Sequence, residues 1–464
     1  MTNITPPFLF LSSADDIQSH AAYWNDYRSQ LSEMKTTLVW FKSDLRLHDN
    51  ETLTRALAQS DRIVPVYCFD EAHCTTTAFG TKKTGSYRMR FLLESLTDLD
   101  QNLRAMGSGL VTVLGKPEIE IAALAKRFGA QKVVAKKEVA YEELQTQQAV
   151  EKELWKMACL FETYSTSTLY HAQDLPFSLH HIPDVFNNFR KQVEKESPIR
   201  VPFPKPAAIV SPEIEMLQLP SVEEFGLQRI PVDSRAALHF KGGETEALQR
   251  LESYFFETKA ISTYKETRNG MIGENYSSKF SAWLSLGCLS PRQIYAELKR
   301  YEGRHGANES TYWLVFELLW RDYFRFMMKK YRNQFFMQNG IKTSDTLPNA
   351  HNEALFDTWK NGETGNDFID ANMCELNLTG FMSNRGRQNV ASYLCNNLGL
   401  DWRYGAAYFE QQLVDYDVCS NWGNWAYLAG VGNDPRGNRI FNIEKQANDY
   451  DKDKNYRNLW LSKM

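Results

Sequence analysis

Asp417, Asn421 and Trp425 follow one another at four-residue spacing within the segment 415–427. On a helix that spacing stacks an acid, an amide and an indole on one face. A buried face seldom carries all three without a polar partner. A flat, polar-edged, redox-active ligand such as a flavin would satisfy them. So would a self-satisfied polar spot inside an aromatic core, and these residues alone leave both readings open.

Three further clusters carry chemistry. Ser277, Ser278, Lys279 and Ser281 lead into an apolar helix start at Ala282. Hydroxyls, one cation and free N–H groups at a helix start attract phosphate, although a plain serine N-cap uses the same residue types. Glu317, Trp320, Arg321 and Arg325 share an amphipathic helical stretch. It is either a salt-bridged face over an aromatic core or a wall that puts Glu317 into a pocket as acceptor or acid. Asn384 and Gln388 share a helix face with Arg387 beside them. Paired amides suit the edge of a base, and Arg385 or Arg387 suits a phosphate or carboxylate.

These clusters need elements to position them. Residues 36–42, 63–69, 110–114 and 132–135 are apolar, β-branched runs expected as buried strands. Between them, 53–58, 86–106 and 117–128 carry helical spacing. Alternating strands and helices predict an α/β domain with a doubly wound parallel sheet over 34–165, with ligands beyond the strand C-termini. No G-x-G-x-x-G or P-loop signature occurs there. Residues 166–243 are proline-rich and irregular, a connector. From 244 to 464 the spacing of Trp, Phe, Tyr and Leu predicts an all-α domain. Residues 1–33 read as an appendage.

Bulk composition excludes several classes. The chain has 464 residues, 43% hydrophobic, 24% charged and 13% aromatic, with a formal net charge of -4. A chain that coats nucleic acid over its whole surface is excluded, whereas a local basic groove is not. The seven cysteines form no C-x-x-C pair. Neither a zinc site nor a disulfide framework is expected, and a reducing, cytoplasmic location fits. No apolar run approaches the roughly 20 residues of a membrane span.

Taken together, the motifs resemble the photolyase/cryptochrome superfamily, and within it the DASH cryptochromes, from about Thr36 to Trp460. The segments that carry the resemblance are 39–50, 169–177, 264–269, 319–325, 364–373, 384–387 and 432–442. The resemblance implies an N-terminal α/β domain, a long linker and a helical domain that holds FAD. By position, Tyr264, Ser277, Ser278, Lys279 and Ser281 would hold the FAD phosphates and ribityl chain. Arg387 would pair with Asp415 near the isoalloxazine, Asp417 would face its polar edge, and Asn421 would sit at flavin N5. Trp425 and Trp402 match the inner and middle members of an electron-transfer chain. Asn349 stands at the outer position, so a nearby Tyr or Trp would have to replace it.

The resemblance also implies a substrate pocket lined by Glu317, Trp320, Asn384, Arg385, Gln388 and Tyr427. The basic residues of 321–332 and 385–387 would form its rim. Tyr427 and Gln388 follow the DASH pattern, which implies a shallower, more polar pocket suited to single-stranded DNA. An antenna, 5,10-methenyltetrahydrofolate, would sit at the edge 137–143, with Glu142 as first choice and Glu143 and Glu138 behind it. The implied activity is light-driven repair of cyclobutane pyrimidine dimers by a monomeric protein, without metal. A blue-light receptor built on the same flavin residues is the alternative.

Overall fold

The computed structural model describes residues 34–342, 351–436 and 440–462. The appendage 1–33 and Asn349 lie outside the described residues.

Five parallel strands form the N-terminal sheet in the order β3-β2-β1-β4-β5. They are β1 (Thr36–Phe41), β2 (Arg62–Asp70), β3 (Val111–Gly115), β4 (Lys132–Lys136) and β5 (Leu160–Tyr164). The expected strands and helices all form, with ends moved by a few residues, and β5 completes the sheet. Alternation along β1 divides two cores. Leu38 and Trp40 pack with Ile121, Leu124 and Val150. Val39 and Phe41 join the larger core that continues into the helical region.

The α/β and helical parts are bolted together by buried charge. Arg46, 1% exposed, donates to the carbonyls of Gly287 (2.8 Å) and Thr166 (2.7 Å). Asp49 pairs with Arg292 at 2.6 Å, both almost wholly buried. Glu244 accepts from the backbone N–H groups of Leu47 and His48, each at 2.9 Å. Gly287 has φ +67°, and a Cβ there would stand 2.3 Å from the Ser43 carbonyl oxygen. The glycine therefore permits the close approach of the two halves.

The connector is less irregular than its prolines suggest. It contains the helix Phe186–Glu196, whose Phe186 stacks face to face on Trp320, with centroids 3.7 Å apart. The helical part is organised around Glu309–Tyr331, started by a capping box between Asn308 and Thr311. Val418–Leu428, which carries Trp425, packs against it, and Asn384–Ser392 and Trp402–Gln412 pack in turn on Val418–Leu428.

Candidate functional site

A cavity of about 460 Å³ opens among helices Glu309–Tyr331, Asn384–Ser392 and Val418–Leu428 and the segment 276–285. That is within the ordinary range for a cofactor site, roughly 300–1,000 Å³. Tyr264, Ser277, Ser278, Lys279 and Ser281 line it, and so do Arg387, Asp415 and Asp417. The same space is bounded by Glu317, Trp320, Asn384, Gln388 and Tyr427. Residues far apart in sequence thus converge on one space.

Local hydrogen bonds set the geometry. Arg387 donates through Nη2 to both oxygens of Asp415, at 3.0 and 2.9 Å, and through Nε to the Met382 carbonyl. Glu317 accepts from Arg268 Nη1 at 2.7 Å. Burial raises the Glu317 carboxyl above the usual range, and Arg268 opposes that rise. Trp320 meets Tyr427 edge to face at 5.8 Å, while Phe186 covers one face of the same indole.

Several expectations are corrected. Asp417 is not on the helical face with Asn421 and Trp425. It is the N-cap of Val418–Leu428 and accepts from Ser420 N at 2.8 Å. Arg385 does not line the cavity. Its guanidinium donates to Gln388 (2.9 Å) and Asn269 (3.2 Å) and lies over the Tyr450 ring. It braces Gln388 from behind.

Of the basic rim expected from 321–332, Arg321 and Arg325 turn inward, whereas Arg332 is exposed. Arg321 donates to the carbonyls of Ser167 and Leu284. Arg325 is buried between Glu138 (3.3 Å) and Asp417 (3.7 Å). It thus joins the α/β sheet to the cavity wall. Burial works to raise Asp417, but Arg321 and Arg325 more than offset it and hold the carboxyl below its usual value. Lys330 is drawn to Asp184 at 2.7 Å.

Asn421 and Trp425 are buried outside the cavity lining. Asn421 donates to the Ala406 carbonyl at 3.0 Å. Trp425 packs edge-on to Phe409 (5.1 Å) and Trp359 (6.2 Å). Trp402 is buried, donates to the Gln338 carbonyl and meets Trp422 edge-on at 5.7 Å. Of the three acids at the edge where the resemblance implies an antenna, Glu142 is 67% exposed and paired with Lys83. Glu138 is buried and shared by Lys42, Lys136 and Arg325. Burial, with Glu138 nearby, pushes Glu143 up to about 7.

Two features of the cavity fit a large anionic ligand. The buried Tyr276 hydroxyl has no hydrogen-bond partner among the described residues. Lys279, at φ +55°, donates only to the carbonyls of Gly273 and Glu274, and burial lowers it to about 7. A buried lysine held by two carbonyls and the face of the Tyr276 ring, with no carboxylate bonded to it, favours an added anion. Arg268 and Tyr276 were missed as individual site residues. Arg268 lay inside a motif segment, but its pairing with Glu317 had no local signal.

The FAD binding domain of DNA photolyase matches residues 313–464, and DNA photolyase matches 37–207. The chain is 49% identical to Cryptochrome DASH of Gloeobacter violaceus over 93% of its length and 86% of that protein. Its identity to Cryptochrome DASH of Xenopus laevis is also 49%, covering 93% of this chain and 83% of the relative. The chain belongs to the photolyase/cryptochrome family. Within that family it groups with the DASH cryptochromes.

Structural similarity agrees with the family. The crystal structure of a Synechocystis cryptochrome superposes with a TM-score of 0.89 at 49% identity, covering 92% of this chain and 88% of that one. A class III photolyase from Agrobacterium tumefaciens gives a TM-score of 0.77 at 26% identity, over 92% and 86% of the two chains. FAD is the cofactor of the matched helical domain. That match begins at 313, so Tyr264 and Ser277–Ser281 border the same cavity from outside it. Among the described residues, no helix is long and apolar enough to cross a membrane. None of their His, Cys, Asp and Glu groups could hold a metal.

Proposed function

We propose that the chain repairs cyclobutane pyrimidine dimers in blue or near-ultraviolet light, with a preference for single-stranded DNA, as a cytoplasmic monomer. FAD, when bound in its reduced form, supplies the chemistry by giving one electron from its excited state to the dimer. One observation carries the reading. The anion-binding residues and the base-reading residues line one cavity, so a flavin and a flipped base would meet there.

The chain's own residues do the positioning. Arg387 and Asp415 lock the wall at one side, and Arg321 with Arg325 keeps Asp417 ionised at another. Asn384 and Gln388 offer amides to a base edge, and Arg385 fixes the Gln388 rotamer. Glu317 has one oxygen on Arg268, which leaves the other for a ligand. Trp320 and Tyr427 offer aromatic surface for stacking.

Single-strand preference follows from the energies. Flipping a lesion out of a duplex costs a few kcal/mol, and stacking on aromatics returns only about 1–3 kcal/mol per base. Phe186 already covers one face of Trp320, which limits that return. Illumination of the reduced protein with dimer-containing oligothymidine should repair the single strand faster than the duplex. Tyr427→Trp should raise duplex repair, because a larger ring stacks more strongly. No repair of either substrate would overturn the proposal and promote the receptor reading, which uses the same flavin residues and the buried Trp402 and Trp425.

For an antenna folate, Glu143 is a better candidate carboxylate than Glu142. Glu142 is already paired at the surface, whereas Glu143 is a desolvated carboxyl in need of donors such as pterin N–H groups. The action spectrum of the same repair assay tests this. A folate band that persists in Glu143→Ala would refute the placement.

Lys279 makes FAD binding pH-dependent. A diphosphate beside it would return the ammonium from about 7 toward its ordinary range. Binding should then take up a proton at pH 8 and weaken as pH rises through that window. Calorimetry of FAD binding to apoprotein, in two buffers of different protonation heat, measures the uptake. Lys279→Met should abolish it, and equal heats for the unsubstituted protein would sink the assignment.

A further inference from the structure

The connector grips the helix Glu309–Tyr331 at two places. Near its start, Arg321 donates to the Ser167 carbonyl, and Asp322 accepts from the backbone N–H groups of Leu169 (3.0 Å) and Tyr170 (2.9 Å). Further along, Asp184 is held by the same helix. Lys330 and Tyr331 donate to its Oδ1 at 2.7 and 2.6 Å, and the Tyr323 hydroxyl donates to its carbonyl. Phe186 follows two residues later, buried, at the start of the connector helix Phe186–Glu196. Arg190, one turn on, donates to the Tyr312 hydroxyl at 2.6 Å and fastens the connector helix to the same neighbour.

Held in this way, Phe186 meets three rings of Glu309–Tyr331. Phe316 and Tyr323 flank it edge-on, at 5.2 and 5.5 Å. Trp320 lies parallel to it within 11°, with centroids 3.7 Å apart. Trp320 and Phe316 line the cavity, whereas Phe186 does not. The stacked face of Trp320 therefore looks away from the cavity, and its opposite face and edge are what a ligand meets. We propose that Phe186 is a positioning residue for the flipped-out dimer: by stacking on the outer face of Trp320 it fixes the ring plane that Trp320 offers to the lesion. The assignment rests on the repair reading above.

Ring mechanics support this role. The second side-chain torsion of a tryptophan is broad, so the backbone alone does not set the indole plane. A flat neighbour at van der Waals distance does set it, because the indole cannot tilt without losing contact over the whole ring. Phe186 cannot follow such a tilt, since Phe316 and Tyr323 stand against it on either side. The plane matters most for a dimer. Its two pyrimidines are joined through a four-membered ring and cannot adjust their planes separately. An undamaged base turns about its own bonds and can follow a misplaced indole. A fixed indole plane therefore lowers the ordering cost of binding for the rigid lesion more than for an ordinary base.

Phe186→Leu keeps an apolar side chain of similar size but removes the flat ring. The measurement is binding of the FAD-loaded protein, in darkness, to single-stranded oligothymidine with and without one dimer. Phe186→Leu should weaken dimer binding roughly three- to tenfold, the worth of one aromatic pair. Affinity for the undamaged strand and flavin content should stay as they were. Phe189→Leu is the comparison. Phe189 lies on the same helix and is buried against Phe177, Tyr323 and Phe326. That variant should lose thermal stability as Phe186→Leu does, yet keep its dimer binding. A role confined to folding would instead move stability, flavin content and both affinities together. Dimer binding unchanged in Phe186→Leu, a matching loss on the undamaged strand, or an equal loss in Phe189→Leu overturns the proposal. An unsubstituted protein that does not prefer the dimer-containing strand would defeat the repair reading and this role with it. A preference that survives Phe186→Leu intact would defeat this role alone.

Discussion

Asp415→Ala should purify almost free of flavin. Asp415 is buried, with its side chain 1% exposed, and both its oxygens receive Arg387. Arg387 also holds the Met382 carbonyl, so the pair fixes the backbone on either side of the cavity. Removing one member of a buried pair leaves the other uncompensated, at a cost of about 3–5 kcal/mol. Arg387 keeps a quarter of its surface, so the lower figure applies, equivalent to roughly a hundredfold loss of FAD affinity. Asp415→Asn retains the volume and should fall between the two. The flavin-to-protein absorbance ratio, followed by titration of apoprotein with FAD, measures both variants. Stoichiometric flavin at unchanged affinity in the alanine variant would show that the pair does not shape the site.

Glu317→Ala should lose most dimer repair while binding undamaged single strands as before. The carboxyl is placed by Arg268 and stands in the same cavity as Trp320 and Tyr427. A hydrogen bond to a charged group is worth about 1.5–3 kcal/mol, which converts to a ten- to hundredfold fall in repair per absorbed photon. Glu317→Gln keeps an acceptor oxygen but weakens the hold on Arg268, so a smaller loss is expected. Repair yield on dimer-containing oligothymidine, set against affinity for undamaged oligothymidine, separates chemistry from binding. Equal losses in both would reassign Glu317 to general DNA affinity, and no loss in either would remove it from the site.

Much of this arrangement was legible in the residues. The parallel sheet follows from apolar runs separated by helical spacing, because both faces of such a sheet are covered. Polar groups on otherwise apolar helices marked several cavity residues, but only the family resemblance gathered them into one site. Other features depend on contacts between distant elements. Arg321 and Arg325 read as a solvated face on one helix, yet that face meets the α/β half, where carbonyls, Glu138 and Asp417 take up the charge. Asp417 fell one residue outside its helix because an acid at that place caps more favourably than it extends. Trp422 follows Asn421 directly but lies about 100° round the helix. It points to a neighbour, Phe79, that the periodicity of one helix cannot reveal.

The Asp49–Arg292 bridge has a bearing on how such a molecule is inherited. One partner belongs to the sheet-bearing half and the other to the helical half, at 0% and 3% side-chain exposure. Separated, each half would carry a charge shaped for burial and a face stripped of its counterpart, so neither is a self-sufficient cassette. A recombination event that exchanges one half between relatives succeeds only where it brings a matching acid and guanidinium with it. The sheet-bearing and helical halves are therefore constrained to diverge together, as one heritable block.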